Sequence, residues 1–209
     1  MKKEEILVFD EDFISKHQHS ITDIESMAKL VSEHAYFSDR ESAEEDTTKK
    51  QIIPYVILKR DNQYFYVERL KGGTESRLHN KTSIGLGGHV NLVDEQDEYG
   101  LNSVLSCVKR ELSEEVGYTV SRELIDSDRF NFLGVINQYD NEVEKVHIGF
   151  VFIIELLLSE NIEIKEKTKL AGRWSSKEEL EYSRMETWSK IVFDRYLAML
   201  SNIQTTSKK

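Results

Sequence analysis

The sequence predicts an α+β or αβα sandwich built around strands of mixed length, and three observations point there. Segments between residues 51 and 156 are dense in Val, Ile, Phe and Tyr, the composition of half-buried strands. Leu101, Val104, Leu105, Val108 and Leu112 fall at helical spacing, giving one apolar stripe. Helical patterns also precede and follow the strand-rich part, and strands flanked by a few helices pack as layers.

Taken in order, residues 1–50 read as an N-terminal extension and residues 51–209 as the main domain with a C-terminal helix. ILVF at 6–9 reads as a short strand, and Ile24, Met27, Ala28, Val31 and Ala35 as one helix face, with Ser20 and Asp23 in capping-box spacing. RESAEEDTTKK (40–50) is expected to be a linker or surface loop. QIIPYVILK and QYFYVERL flank Arg60-Asp61-Asn62 as a hairpin, and Pro54 belongs at an edge or strand start because it lacks an N–H. A long Gly- and charge-rich loop (71–100) follows, then the helix from Leu101, which Gly117 is placed to terminate. RFNFLGVINQY (129–139) and VEKVHIGFVFIIEL (143–156) are strands. LAGRW (170–174) leads to a helix opened by Ser176 and Glu179, and 185–200 is a final helix.

A net charge of −10 argues against a broad basic surface for a nucleic-acid polymer. The single Cys107 permits no internal disulfide and fits a reducing compartment. The longest apolar run, Ile148 to Leu158, is short of a membrane span and contains Glu155. The N-terminus turns acidic where a signal peptide would be apolar, so a cytoplasmic location is expected.

The most informative stretch is VKRELSEEVGY, 108–118, where Glu111, Glu114 and Glu115 share one flank of a helix. Like charges at that spacing cost roughly 0.2–0.5 kcal/mol per pair. A hard cation such as Mg²⁺ or Mn²⁺ would turn the repulsion into a binding site, and Arg110, four residues before Glu114, is placed to pair with that carboxylate. The alternative is a solvated acidic face.

RELSEEVGY resembles the second half of the Nudix box, which runs Gly-x5-Glu-x7-Arg-Glu-U-x-Glu-Glu-x-Gly-U with U bulky and apolar. The resemblance implies a Nudix-like αβα sandwich with a mixed sheet and Mg²⁺- or Mn²⁺-dependent hydrolysis of an organic diphosphate. It also implies metal-binding glutamates at Glu111, Glu114 and Glu115. The opening glycine maps onto Gly87 or Gly88, whose carbonyl would add a ligand. The glutamate expected eight residues before Arg110 is Asn102 here, so a longer loop between strand and helix is the expected explanation. KGGTESRLHNKTSIGLGGH is also similar to a subgroup described as predicted phosphoesterases.

Catalytic roles are expected of Glu114, Glu115 and Arg110, with Glu142, Glu144 and Glu155 as further bases or ligands. Arg69, Arg77 and Lys81 supply cationic groups for a small phosphorylated substrate, Arg77 foremost for its bidentate donors, and His89 either orients substrate or makes a structural bond. Cys107 reads as a packing thiol. Residues 1–50 would cap the cleft or form a homodimer interface. The competing readings are a catalytically inactive Nudix-fold ligand-binding or regulatory protein, favoured by Asn102, and an isoprenyl diphosphate isomerase, for which Cys107 is poorly placed.

Overall fold

The structure is a computed structural model that describes residues 3–70, 80–96, 102–165 and 167–197. In chain order the elements are β1 (Glu5–Asp10), α1 (Glu11–His17), α2 (Ile24–His34), β2 (Tyr36–Asp39), α3 (Arg40–Glu45), β3 (Lys49–Arg60) and β4 (Gln63–Arg69). They continue with β5 (Thr82–Ser83), β6 (Gly85–Leu86), a 3₁₀ turn (Leu92–Gln96), α4 (Ser103–Val116), α5 (Arg122–Ile125), β7 (Phe130–Ile136) and α6 (Glu142–Val146). The last are β8 (His147–Glu155), β9 (Leu170–Ser176) and α7 (Thr187–Val192), which runs into a π turn (Phe193–Leu197).

All described strands join one mixed sheet with β3 at its centre. β8 runs parallel to β3 along one flank, from Gln51↔His147 to Lys59↔Glu155, and β7 is antiparallel outside β8. The opposite flank of β3 is shared in succession by β1 at 49–51, β6 at 56–57 and β4 at 59–60. Side chains alternate across a strand, and this makes the layers. Ile52, Val56 and Leu58 of β3 and Phe150, Phe152 and Ile154 of β8 pack with Val104, Val108 and Leu112 of α4. Tyr55, Ile57, Val151 and Ile153 face the other way, with Val192 and Leu197. The sheet therefore lies between α4 and α7, as an αβα sandwich.

Several sequence expectations are corrected here. Residues 40–50 are not a loop, because Arg40–Glu45 is helical, capped by Asp39 accepting from Ser42 N–H. β3 begins at Lys49, two residues before the strand expected from Gln51. Phe9, Ile14, Met27 and Val31 share the core with α4. The segment 143–156 opens as helix α6 and becomes strand only at His147, because Asn141 caps it through Glu144 N–H. Ser176 and Glu179 do form a capping box, but it heads a 3₁₀ turn.

Pro54 is neither at an edge nor at a strand start. It lies within β3 opposite Phe150. On the other flank β1 stops at Gln51 and β6 begins at Val56, leaving a gap. Ile52 O faces that gap, accepting from Val90 N–H at 3.4 Å, and Pro54 O faces it against Gly87. The N–H that proline lacks therefore lies where no strand needs it. The Gly-rich segment crosses the sheet at that gap.

Candidate active site

The site is assembled by α4 and by the segment Gly87–Asp94 that crosses above Pro54. Asn102 caps α4, its Oδ1 accepting from Val104 N–H and Leu105 N–H, both at 3.1 Å. At the other end Gly117 is left-handed (φ 61°), and Tyr118 N–H bonds Leu112 O at 3.0 Å. The helix thus starts at an Asn cap and stops at a glycine. Between them the buried stripe turns Glu111 inward with its side chain 15% exposed, leaves Glu114 63% exposed, and half-buries Glu115.

Two glycines let the loop approach. At Gly87 (φ 152°) a Cβ would stand 1.9 Å from Pro54 O, so only glycine fits. At Gly88 a Cβ would stand 2.4 Å from Glu111 Oε1, so the carboxylate rests directly against loop backbone. Burial there raises the Glu111 pKa above the usual carboxylate range, against the pull of Arg110.

Arg110 is the hub. Its Nε and Nη2 donate to Asp94 Oδ1 and Oδ2 at 2.8 and 2.9 Å, a bidentate pair. Nη1 donates to Glu111 Oε1 at 2.6 Å and reaches Glu114 Oε2 at 3.4 Å, while Nη2 also donates to His89 O at 3.0 Å. The expected Arg110–Glu114 pair is present but is the longest of these ion pairs. Burial by itself would lower the Arg110 pKa, yet Asp94 and Glu111 hold it above its ordinary value. In this arrangement Arg110 offsets part of the charge of the acidic flank.

Asp94 is the residue sequence reasoning missed. Its side chain is 2% exposed, and its Oδ2 also accepts from Asn91 N–H at 2.9 Å. Counting forward from Gly88 finds it: Gly88-x5-Asp94 has the spacing of the first half of the box, with Asp for Glu. The extra loop length lies between Asp94 and Arg110, and Asn102 is a helix cap.

Other expected residues are dispersed. Arg69 Nε donates to Glu186 Oε1 at 3.0 Å; burial lowers its pKa, and the charges of Glu186 and, more weakly, Glu115 more than restore it. Glu186 was not anticipated. The His89 ring is turned onto Gln51 Oε1 at 2.8 Å and His147 Nε2 at 3.2 Å, and burial depresses its pKa to about 3. Cys107 is buried beneath the loop, its Sγ 3.4 Å from His89 O, and burial pushes the thiol pKa up. Lys81 is exposed, and Arg77 lies outside the described residues. Glu142 is exposed and paired with Lys145 at 2.6 Å, while Glu144 is buried with neither carboxylate oxygen hydrogen-bonded. Glu155 pairs with Lys59 at 2.6 Å. It ends β8 opposite Lys59, which is five residues along β3 from Pro54, about 16 Å of strand.

Carboxylate and carbonyl oxygens are the donors a hard divalent cation takes, and the cradle at Gly88 brings backbone beside Glu111. The residues fit such a cation in kind. Among the described residues no three His, Cys, Asp or Glu side chains are grouped to hold one, and Arg110 engages Glu111 and Glu114.

The chain is 44% identical over 163 residues to protein YmaB of Bacillus subtilis, spanning 74% of this chain and 75% of that one. Tm1382, provisionally named a Nudix hydrolase, superposes with a TM-score of 0.72 at 30% identity, over 95% of this chain and 99% of that one. The MutT NUDIX hydrolase from Burkholderia pseudomallei superposes with a TM-score of 0.53 at 17% identity, over 70% and 98% of the two chains. No protein-family model matches the chain. An αβα sandwich that carries a glycine loop onto an Arg-Glu-x-x-Glu-Glu helix defines a Nudix fold. With the likeness to Tm1382 over nearly its whole length, the chain belongs to the Nudix family.

Proposed function

We propose that the protein is a divalent-metal-dependent hydrolase that cleaves the diphosphate linkage of a small nucleotide or other organic diphosphate. The observation that carries this reading is the contact of Gly88 backbone with the Glu111 carboxylate, which joins the two halves of the box in space. Glu111, Glu114 and Glu115, with the Gly87 carbonyl, would hold Mg²⁺ or Mn²⁺. The cation would polarise a phosphoryl oxygen and acidify a bound water.

The chain's own residues divide the remaining work. Arg110 is a positioning residue: clamped by Asp94, it fixes the Glu111 and Glu114 carboxylates, which would otherwise repel one another. Glu114, the most exposed of the three, is the carboxylate that reaches solvent and an incoming substrate. Arg69, together with Lys81 and Arg77, is proposed to meet substrate phosphates, and Glu115 beside Arg69 is proposed to act with Glu114 on the attacking water.

The test is product release from nucleoside triphosphates, nucleotide sugars, dinucleoside polyphosphates and other organic diphosphates, each with Mg²⁺ or Mn²⁺. Turnover should require the metal and fall about a hundredfold or more in Glu114→Gln, a change at an exposed side chain that leaves the fold intact. Gly88→Ala should cost comparable activity by displacing Glu111. Turnover that ignores the metal or survives Glu114→Gln would sink the assignment, and metal binding without turnover would favour a regulatory protein.

A further inference from the structure

A cavity of about 350 Å³ opens at the outer edge of the sheet, far from the acidic flank of α4. It lies against β7, which pairs only with β8, so both β8 and β3 stand between it and the Gly87–Gly88 loop. Its walls come from three parts of the chain. His19 and Ile21 follow α1, Val135 is near the end of β7 with Asn137 and Gln138 just beyond it, and Arg195 comes from the turn after α7. Cavities of this size hold small molecules.

Two features give the cavity a chemical preference. In a chain of net charge −10, its lining includes an arginine and a histidine and no carboxylate. Among the described arginines, Arg195 alone makes no hydrogen bond or ion pair. Its guanidinium lies over its neighbour's ring, 5.9 Å from the Tyr196 centroid, while the others engage carboxylates or carbonyls. A free guanidinium fork is made for an oxyanion.

The second feature is Asn137. The Tyr139 hydroxyl gives its proton to Glu11 Oε1 at 2.7 Å, so it can only accept from Asn137 Nδ2, at 3.2 Å. That fixes the amide orientation and leaves Asn137 Oδ1 buried with no donor. Asn137 is thereby fixed in the cavity wall beside Gln18 and Gln138, whose amides can donate to and accept from hydroxyl groups.

We propose that this cavity binds a small hydroxylated oxyanion, a sugar phosphate or a sugar acid, with Arg195 taking the anion and the lining amides of Gln18 and Gln138 bonding ligand hydroxyls. The site is separate from the proposed hydrolase site and needs no metal.

Titration calorimetry of the full chain in EDTA, with ribose 5-phosphate, gluconate and neutral ribose, tests it. At least one of the two anions should bind saturably with Kd below about 1 mM, and ribose about tenfold or more weakly. Arg195 is exposed, so its variants should fold: Arg195→Lys should be intermediate, and Arg195→Gln and Arg195→Glu should weaken binding by about tenfold or more. Gln138→Leu should weaken it as well, with the thermal midpoint showing that the variant is folded. Saturation by ribose 5-phosphate alone assigns a phosphate, and by gluconate alone a carboxylate; either supports the site. Binding of neither anion, or binding unchanged in Arg195→Glu, overturns it. EDTA separates this result from the metal-dependent reaction at α4.

Discussion

Replacing Arg110 with leucine is expected to lower the unfolding free energy by about 3–5 kcal/mol, because Asp94 becomes a buried charge without its partner. The Asp94 side chain is 2% exposed and the Arg110 side chain 20%, so neither can turn to water without moving the loop that carries Gly87 and Gly88. Glu111 loses its 2.6 Å donor in the same variant, and the repulsion along α4 returns. Asp94→Leu alone should also be destabilising, through the orphaned guanidinium and the loss of the bond from Asn91 N–H. The double variant should lose less than the sum of the single changes, since replacing both ions with apolar groups removes the desolvation cost along with the attraction. Urea unfolding of the four proteins measures the coupling. Additive losses would mean that Asp94 does not hold Arg110 in solution.

That pair also shows what the sequence makes legible. The helical stripe of α4, its glycine stop and the three carboxylates were all readable from local spacing. The second end of Arg110's ion pair was not, because it depends on a loop closing over 16 residues, and no periodicity reports where a loop returns. The signal that did exist was a count forward from Gly88, and it is weak because Asp stands where the pattern has Glu. Counting backward from Arg110 instead lands on Asn102, which the structure uses as a cap.

The misplaced Pro54 has a related cause. A proline in an apolar strand segment argues for an edge, and sequence shows no sign that a central strand can have one flank left open for four residues. The first fifty residues were misread at 40–50 for another reason. RESAEEDTTKK is polar on every side, which fits a loop, but Asp39 supplies a cap and only Ala43 need be buried to hold a short helix. Short helices fixed by one cap and one contact leave too little pattern to find. The same holds for α6, whose turn is set by Asn141.

Lys50 provides the largest expected pH effect. It is the second residue of β3, in a run that looks solvent-facing, KKQ, yet its side chain is fully buried, with Nζ donating to Glu144 O at 2.8 Å and Gln138 O at 3.3 Å and lying 3.9 Å from the Tyr139 ring. Burial pushes its pKa down from 10.5 to about 8, while Glu11 and Glu144 pull it the other way. A lysine whose pKa is depressed on folding binds fewer protons in the folded state than in the unfolded state between those two values. Stability there must rise with pH, and below about 8 both states carry the charge and the contribution is flat. From pH 8 to 10.5 the wild type should therefore gain up to about 3 kcal/mol relative to Lys50→Met, whose unfolding free energy lacks this dependence. Comparing the two proteins cancels the titration of the other lysines and tyrosines. Parallel stability curves across that range would place the Lys50 amine in water, and a relative loss for the wild type would mean that its carboxylate neighbours outweigh burial.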